Sequence, residues 1–166
     1  MVGSGAEISC KKCGKSYYMD EYGRLSAKEG VTEFSHIPDW YEWERKCVRE
    51  EIERGEYSID LDCEILMTVT DYKFYRVGEG RLRHDRGGFV LDGCEGKPRA
   101  AHSVNSDFYY YQMGDVISFG NNDGLFYCFP KTEKDVVCKA RFAHEEIYKL
   151  AKEEKAKAKA EAASQA

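Results

Sequence analysis

Gly78-Glu79-Gly80-Arg81-Leu82-Arg83-His84-Asp85-Arg86-Gly87-Gly88-Phe89-Val90-Leu91-Asp92-Gly93 alternates polar with apolar residues and is broken every few positions by Gly or Asp. A period of two is the pattern of a strand with one face in a core, and Asp-Arg-Gly-Gly and Asp-Gly supply the turns between such strands. The pattern extends both ways, from Tyr57 to Pro130, as candidate strands 57–69, 72–77, 80–84, 88–92, 97–103, 107–112, 115–120 and 124–129. The connectors Gly78-Glu79-Gly80, Asp85–Gly88, Asp92-Gly93, Met113-Gly114 and Asn121–Gly124 are short, which predicts an antiparallel meander. Asp107, Asp115 and Asp123 recur every eight positions, the length of one strand and its turn. No strand is followed by a helix of crossover length, so parallel βαβ folds are disfavoured.

On either side of this region the period becomes helical. Ser35-His36-Ile37-Pro38-Asp39 opens one helix: proline suits a first turn, Asp39 and Glu42 suit the positive helix start, and Arg54-Gly55 supplies a stop. Advancing 100° per residue gathers Trp40, Tyr41, Trp43, Cys47, Val48 and Ile52 on one half of its surface. That face reads as core; the competing reading of the paired Trp residues is a ligand-stacking or membrane-interface face. A second helix starts at Thr132, with Glu133 and Asp135 in its first turn, and carries the stripe Val136, Ala140, Ala143, Ile147, Leu150 and Ala151 towards the sheet. Beyond Lys152 no bulky apolar residue remains, so the tail frays or stays solvated.

Upstream, Ile8-Ser9-Cys10-Lys11-Lys12-Cys13-Gly14-Lys15 has the form of a zinc knuckle between two short extended pieces, with Cys10 and Cys13 as candidate metal ligands and zinc as the implied cofactor. A closed structural site needs four ligands, and no second Cys-x-x-Cys exists; His36, Cys47 and Cys63 are the possible completions, and a simple β-turn is the alternative. The expected organisation is a leader or linker at 1–7, a zinc-knuckle-like hairpin plus helix at 8–56, a barrel with its capping helix at 57–151, and a charged helical or disordered tail at 152–166. The fold class is α+β. The order of the last two parts matches a pleckstrin-homology-like antiparallel β-barrel capped by a C-terminal helix, an analogy of topology that does not fix function.

Composition narrows the function classes. The 166 residues (19.0 kDa) suffice for one domain and a small appendage, and 42% hydrophobic residues with 12 Tyr, 8 Phe and 2 Trp can build a core. The net charge of −5 is uneven: residues 1–70 hold 9 Lys/Arg against 15 Asp/Glu, and 71–130 hold 7 against 8. Such a surface offers no broad footprint for phosphate backbones, so nucleic acid is not an expected partner. The longest run without a charged residue is seven, far below the roughly 20 apolar residues of a membrane-spanning helix, so no transmembrane segment is expected. Seven cysteines, an odd number with one close pair, fit reduced thiols and a cytoplasmic location.

Reactive constellations are few. His102 and Asp107 have the His-x4-Asp spacing of glycerolipid acyltransferases, but four His and eleven Asp in 166 residues produce about 0.3 such matches by chance, and the phosphate-binding blocks that should follow are missing. Cys47, Cys63, Cys94, Cys128 and Cys138 lie in apolar surroundings typical of buried thiols, and no triad can be assigned. Arg76, Arg81, Arg83 and Arg86, with His84 among them, form the one local basic cluster, a candidate site for lipid phosphates or other anions. The alternative is a solvated turn offset by Glu79 and Asp85.

Several segments carry a family likeness: Cys10-x-x-Cys13-Gly14, Tyr18–Leu25, Thr32–Arg45 (with Phe34-Ser35-His36-Ile37-Pro38-Asp39-Trp40-Tyr41-Glu42-Trp43-Glu44-Arg45 as its most specific part), Gly78–Leu82 and Gly114–Ser118. Over about residues 8–150 the chain resembles the C-terminal region of bacterial 1-acyl-glycerol-3-phosphate acyltransferase-like proteins. In that family the acyl-transfer motif lies in a separate N-terminal domain, so the resemblance implies a non-catalytic module and transfers no catalytic residue; His102 does not match the motif's place. The expected role is regulatory, or docking to an anionic membrane surface or to the acyltransferase domain of a parent protein. The alternatives are a protein- or peptide-binding module unrelated to lipid, resting on the acidic first half and on Trp40, Trp43 and Tyr109–Tyr111, and last a transferase acting through His102 and Asp107.

Overall fold

The computed structural model describes residues 2–11, 13–70, 73–93, 99–100, 115–121, 124–131 and 136–164. The chain divides into two compact units, residues 1–47 and 48–166, with the boundary inside the first helix, α1 (Ile37–Glu53).

In the first unit, β1 (Val2–Ser4), β2 (Glu7–Ser9), β3 (Ser16–Met19) and β4 (Leu25–Ala27) form an antiparallel sheet in that order. Residues 2–4, expected as part of a leader, are therefore a strand, paired from Val2↔Ser9 to Ser4↔Glu7. Tyr17, Leu25 and Trp40 make the core, with Ile8, Cys10, Met19, Ala27, Phe34 and Ile37 packed around them. Trp40 meets Tyr17 at 5.0 Å and stacks on Phe34 at 5.4 Å, ring geometries that add to area burial. Trp40 is thus a core residue, as its helical spacing implies, whereas Trp43 stays 51% exposed against the side of Phe34. The His36 amide donates to Asp39 Oδ2 at 3.1 Å, the back-bond of a helix start.

The second unit begins with the end of α1. Gly55 sits at φ 72°, its amide donates to the Ile52 carbonyl, and the Glu56 amide donates to the Glu51 carbonyl, the paired bonds of a glycine-terminated helix. Six strands follow: β5 (Ile59–Thr70), β6 (Lys73–Asp85), β7 (Gly88–Asp92), β8 (Arg99–Ala100), β9 (Ile117–Asn121) and β10 (Gly124–Pro130). They form one antiparallel sheet in the order β8-β7-β6-β5-β10-β9. The β9–β10 hairpin thus returns to pair with β5, where a plain meander would have left that strand at an edge. The edge strands β8 and β9 approach within 8 Å between Cα atoms, so the sheet curls into a half-barrel.

The expected strands 72–77 and 80–84 are one strand. Register passes from Ile65↔Gly78 to Leu66↔Arg76, leaving Val77 unpaired, and Gly78 takes φ 131° to absorb it. The concave face is filled by Ile59, Leu61, Cys63, Ile65, Leu82, His84, Phe89, Leu91, Ile117, Phe119, Phe126 and Cys128, all buried. Through its middle runs an aromatic column: His84 stacks on Phe89 at 3.8 Å, Phe89 on Phe119 at 5.1 Å, and Phe119 tilts against Phe126.

The second helix, α2 (Val136–Ser164), buries Val137, Ala140, Phe142, Ala143 and Ile147, and His144 meets Phe89 at 6.0 Å, which sets the helix against the aromatic column. Of its expected stripe, Ala140, Ala143 and Ile147 are buried, while Val136, Leu150 and Ala151 are half-buried. Residues 152–164 remain helical with every side chain in water. Arg49, in the last turns of α1, joins the two helices through Glu53 at 3.0 Å, Glu153 at 2.9 Å and the buried Glu146 at 3.4 Å. The described residues are α+β, with two helices and two antiparallel sheets. Among the described residues no helix is long and apolar enough to cross a membrane.

Candidate functional site

The strand alternation that buries Leu82 and His84 turns Arg81 and Arg83 outward, beside Asp60, Asp62 and Asp92 of the flanking strands. Each guanidinium of the expected basic cluster then meets a carboxylate. Arg81 forks onto Asp60 with bonds of 2.5 and 2.9 Å, Arg76 meets Glu64 at 2.5 Å, Arg83 pairs with Asp92, and Arg86 pairs with Glu154 of α2. Lys131 closes the row on Glu79 at 2.8 Å. The hydrogen bond from Arg81 holds the Asp60 carboxyl below its ordinary range, and Lys131 does the same for Glu79. All these groups are solvent-exposed, so each pair contributes little stability, about 0–1 kcal/mol. Their functional consequence is that the surface is close to charge-neutral, and a phosphate must displace a carboxylate to bind it.

His84 does not belong to this row. Its ring is fully buried on the opposite face of β6, with Nδ1 2.7 Å from Tyr57 Oη. The sequence places it among arginines, and the pleat removes it from them.

At the knuckle, the Gly14 amide donates to the Cys10 carbonyl at 2.8 Å and the Cys10 amide donates to the Lys15 carbonyl at 2.9 Å. Gly14 adopts φ 75°, the left-handed conformation that closes such a turn without a Cβ penalty. Cys10 is half-buried against the first unit's core and Cys13 is exposed. Lys15 Nζ donates to the Val31 carbonyl at 2.6 Å and to Glu33, whose other oxygen accepts from Tyr17 Oη. Burial, with Glu33 alongside, pushes the Tyr17 phenol up to about 12, and the Lys15 and Tyr17 bonds pull Glu33 down to about 2.

His36 is exposed, 3.7 Å from Asp39; Cys47 is half-buried on α1; Cys63 lies in the second unit's sheet, where the Cys128 thiol bonds to it and lowers its pKa. Among the described residues no three His, Cys, Asp or Glu side chains converge as a metal-holding group. Of the other thiols, Cys128 is buried and Cys138 exposed on α2. Cys94, His102, Asp107, Tyr109–Tyr111 and the predicted strand 107–112 lie outside the described residues.

The feature that sequence reasoning missed is the distal end of the β5–β6 hairpin. Past the bulge, Leu66, Met67 and Thr68 pair with Arg76, Tyr75 and Phe74. Val69, Phe74 and Tyr75 are 58%, 58% and 61% exposed, and Phe74 meets Tyr127 edge-on at 5.1 Å. Phe74 and Tyr75 are adjacent, so they point to opposite faces, and both faces are open to solvent. This end of the hairpin therefore presents apolar side chains to solvent, with Lys73 and Arg76 beside them. The available signal was the loss of alternation in Ile65-Leu66-Met67-Thr68-Val69, which no one-sided strand requires.

No protein-family model matches this chain, and no curated protein matches it.

Proposed function

We propose that this chain is a non-catalytic, cytoplasmic module of a phospholipid acyltransferase-like protein, and that it docks the parent protein on a membrane surface through the β5–β6 tip. The observation that carries this reading is the exposure of Val69, Phe74 and Tyr75 together near the end of one hairpin. Large apolar side chains exposed to water mark an interaction site, and aromatic rings suit the headgroup boundary. The pleckstrin-homology-like reading of the second unit agrees with the curled half-barrel and its C-terminal helix. The arginine row contributes less, because each guanidinium is already held by a carboxylate.

Flotation of the full chain with vesicles of phosphatidylcholine and phosphatidylglycerol tests the proposal. Burying two half-exposed aromatics stabilises the bound state by about 2–3 kcal/mol, so a Phe74→Ser/Tyr75→Ser variant should bind roughly 30- to 150-fold more weakly. An Arg81→Ala/Arg83→Ala/Arg86→Ala variant should lose only a few-fold, and binding should persist at high salt. No flotation of the unmodified chain, or an intact tip variant that floats normally, overturns the docking role. In that case the protein- or peptide-binding reading, with half-exposed Trp43 of the first unit, takes its place.

A further inference from the structure

A knuckle whose thiols hold an ion needs two more ligands from the segment that faces it. The segment meeting this turn is 28–33, where the Val31 carbonyl and Glu33 accept from the Lys15 ammonium and Lys28 pairs with Glu7 at 2.6 Å. Lys15 thus joins the start of β3 to the segment beyond β4, a cross-link of the kind a structural metal supplies in such turns.

We propose that Cys10 and Cys13 are a reversible dithiol–disulfide pair, a redox modification site on the first unit, in place of half a metal site. Three observations converge on it. The thiols stand three residues apart inside a turn closed by the bond from the Gly14 amide to the Cys10 carbonyl. Such a turn holds Cα atoms three apart at about 5–6 Å, within the roughly 4.4–6.8 Å that a disulfide spans. The two sites are asymmetric: Cys13 is exposed, and Cys10 is half-buried against Tyr17, Leu25 and Trp40. An exchange reaction uses that asymmetry, with one accessible attacking thiol and one protected resolving thiol. The cleft beside Cys13 is lined by Gly14, Lys15, Ser16, Lys28 and Glu29, polar groups between which a small disulfide can reach the exposed thiol.

The co-reactant is a low-molecular-weight disulfide. The Cys13 thiolate attacks one of its sulfurs, forming a mixed disulfide and releasing one small thiolate. The Cys10 thiolate then attacks the Cys13 sulfur, forming the Cys10–Cys13 bond and releasing the second small thiolate. The protein loses two electrons and two protons, and the small disulfide is reduced to two thiols. In a reducing compartment such a bond is transient and reports redox state.

The test equilibrates the full chain in buffers of reduced and oxidised glutathione, then traps thiols with an alkylating reagent for intact mass and peptide mapping. The expected result is a Cys10–Cys13 peptide lacking two hydrogens, rising with the oxidised fraction and reversed by dithiothreitol. Cys10→Ser should instead accumulate a glutathione adduct on Cys13, and Cys13→Ser should abolish both products. Mapping of the unmodified chain reads the same pairing should a Ser variant fold poorly. Full alkylation of both Cys10 and Cys13 at every ratio overturns the proposal. So does a purified chain carrying about one zinc ion that Cys10→Ser releases, which would restore the metal site.

Discussion

A methyl group added at Gly80 tests the packing of the half-barrel more sharply than any truncation. An ideal Cβ there would overlap the Asp92 carbonyl oxygen and lie 2.5 Å from Ile65 Cδ1. Ile65 is fully buried, and Asp92 is held in the β6–β7 ladder opposite Arg81, so neither group can retreat without moving backbone or core. Gly93 is equally constrained from the other strand: at φ 97°, its Cβ would stand 2.8 Å from the Glu79 carbonyl and from Gly80 Cα. The two glycines let β6 and β7 approach where a side chain would separate them. Overpacking of a core costs about 1–3 kcal/mol, and a clash with backbone belongs at the upper end. Restricting the unfolded chain returns about 0.4–1 kcal/mol, so Gly80→Ala should destabilise this unit by about 2–3 kcal/mol.

Gly120 is the matched control on β9. Its added Cβ would sit 3.4 Å from the Gly124 carbonyl oxygen and 3.6 Å from Leu125 Cδ1, close to ordinary contact, so Gly120→Ala should be neutral or stabilising by up to about 1 kcal/mol. Hydrogen exchange of the slow β6 and β7 amides reads the second unit alone, and 2–3 kcal/mol corresponds to a roughly 30- to 150-fold faster exchange. Protection in Gly80→Ala within twofold of the unmodified chain would refute the reasoning. So would a Gly120→Ala variant that loses as much.

Two further outcomes follow from buried charge. Burial lowers the His144 pKa below 6.5, while the neighbouring Glu145 opposes the shift in part. The unfolded chain therefore takes up the proton first as pH falls, so stability should be full above about pH 6.5 and decline below it, and His144→Gln should flatten that part of a thermal-melt profile between pH 8 and 5. Arg49→Met removes one cation facing the buried Glu146 carboxylate and leaves Lys149 at 2.6 Å. A partly compensated buried carboxylate should cost about 1–3 kcal/mol in urea unfolding, and Glu146→Gln in the Arg49→Met background should recover much of that loss.

Local pattern made much of this fold readable. Strand β7 falls at 88–92 as predicted, β9 and β10 lie within two residues of 115–120 and 124–129, and Pro38, Asp39 and Gly55 mark α1 at both ends. The misreading at Gly78-Glu79-Gly80 has a physical origin: a bulge and a turn both need glycine in an unusual conformation, and the sequence does not distinguish an unpaired Val77 from a reversal of the chain. The return of β10 to β5 joins residues more than fifty apart, and no local signal encodes it. The arginine cluster was legible as positive charge, but its neutralisation depends on register, which sets Asp60 and Asp92 on either side of β6. Cys10 and Cys13 were legible as a pair, whereas the role of Lys15 depends on which segment folds back to meet the turn.

The exposed tip and the neutral arginine row bear on each other. A chain of net charge −5 gains little from long-range attraction to an anionic surface, and its outward arginines are matched one by one with carboxylates. Releasing a guanidinium to a phosphate exchanges one ion pair for another, so the net gain at an exposed site is small. Apolar area left in water has no such internal competitor, and covering Val69, Phe74 and Tyr75 recovers the transfer free energy of the area they still expose. Binding built this way is set by contact area and depends weakly on ionic strength, in contrast to the steep salt dependence of a surface that binds through its cations. Among the described residues of the second unit, the end of the β5–β6 hairpin consequently has the most to gain from a partner.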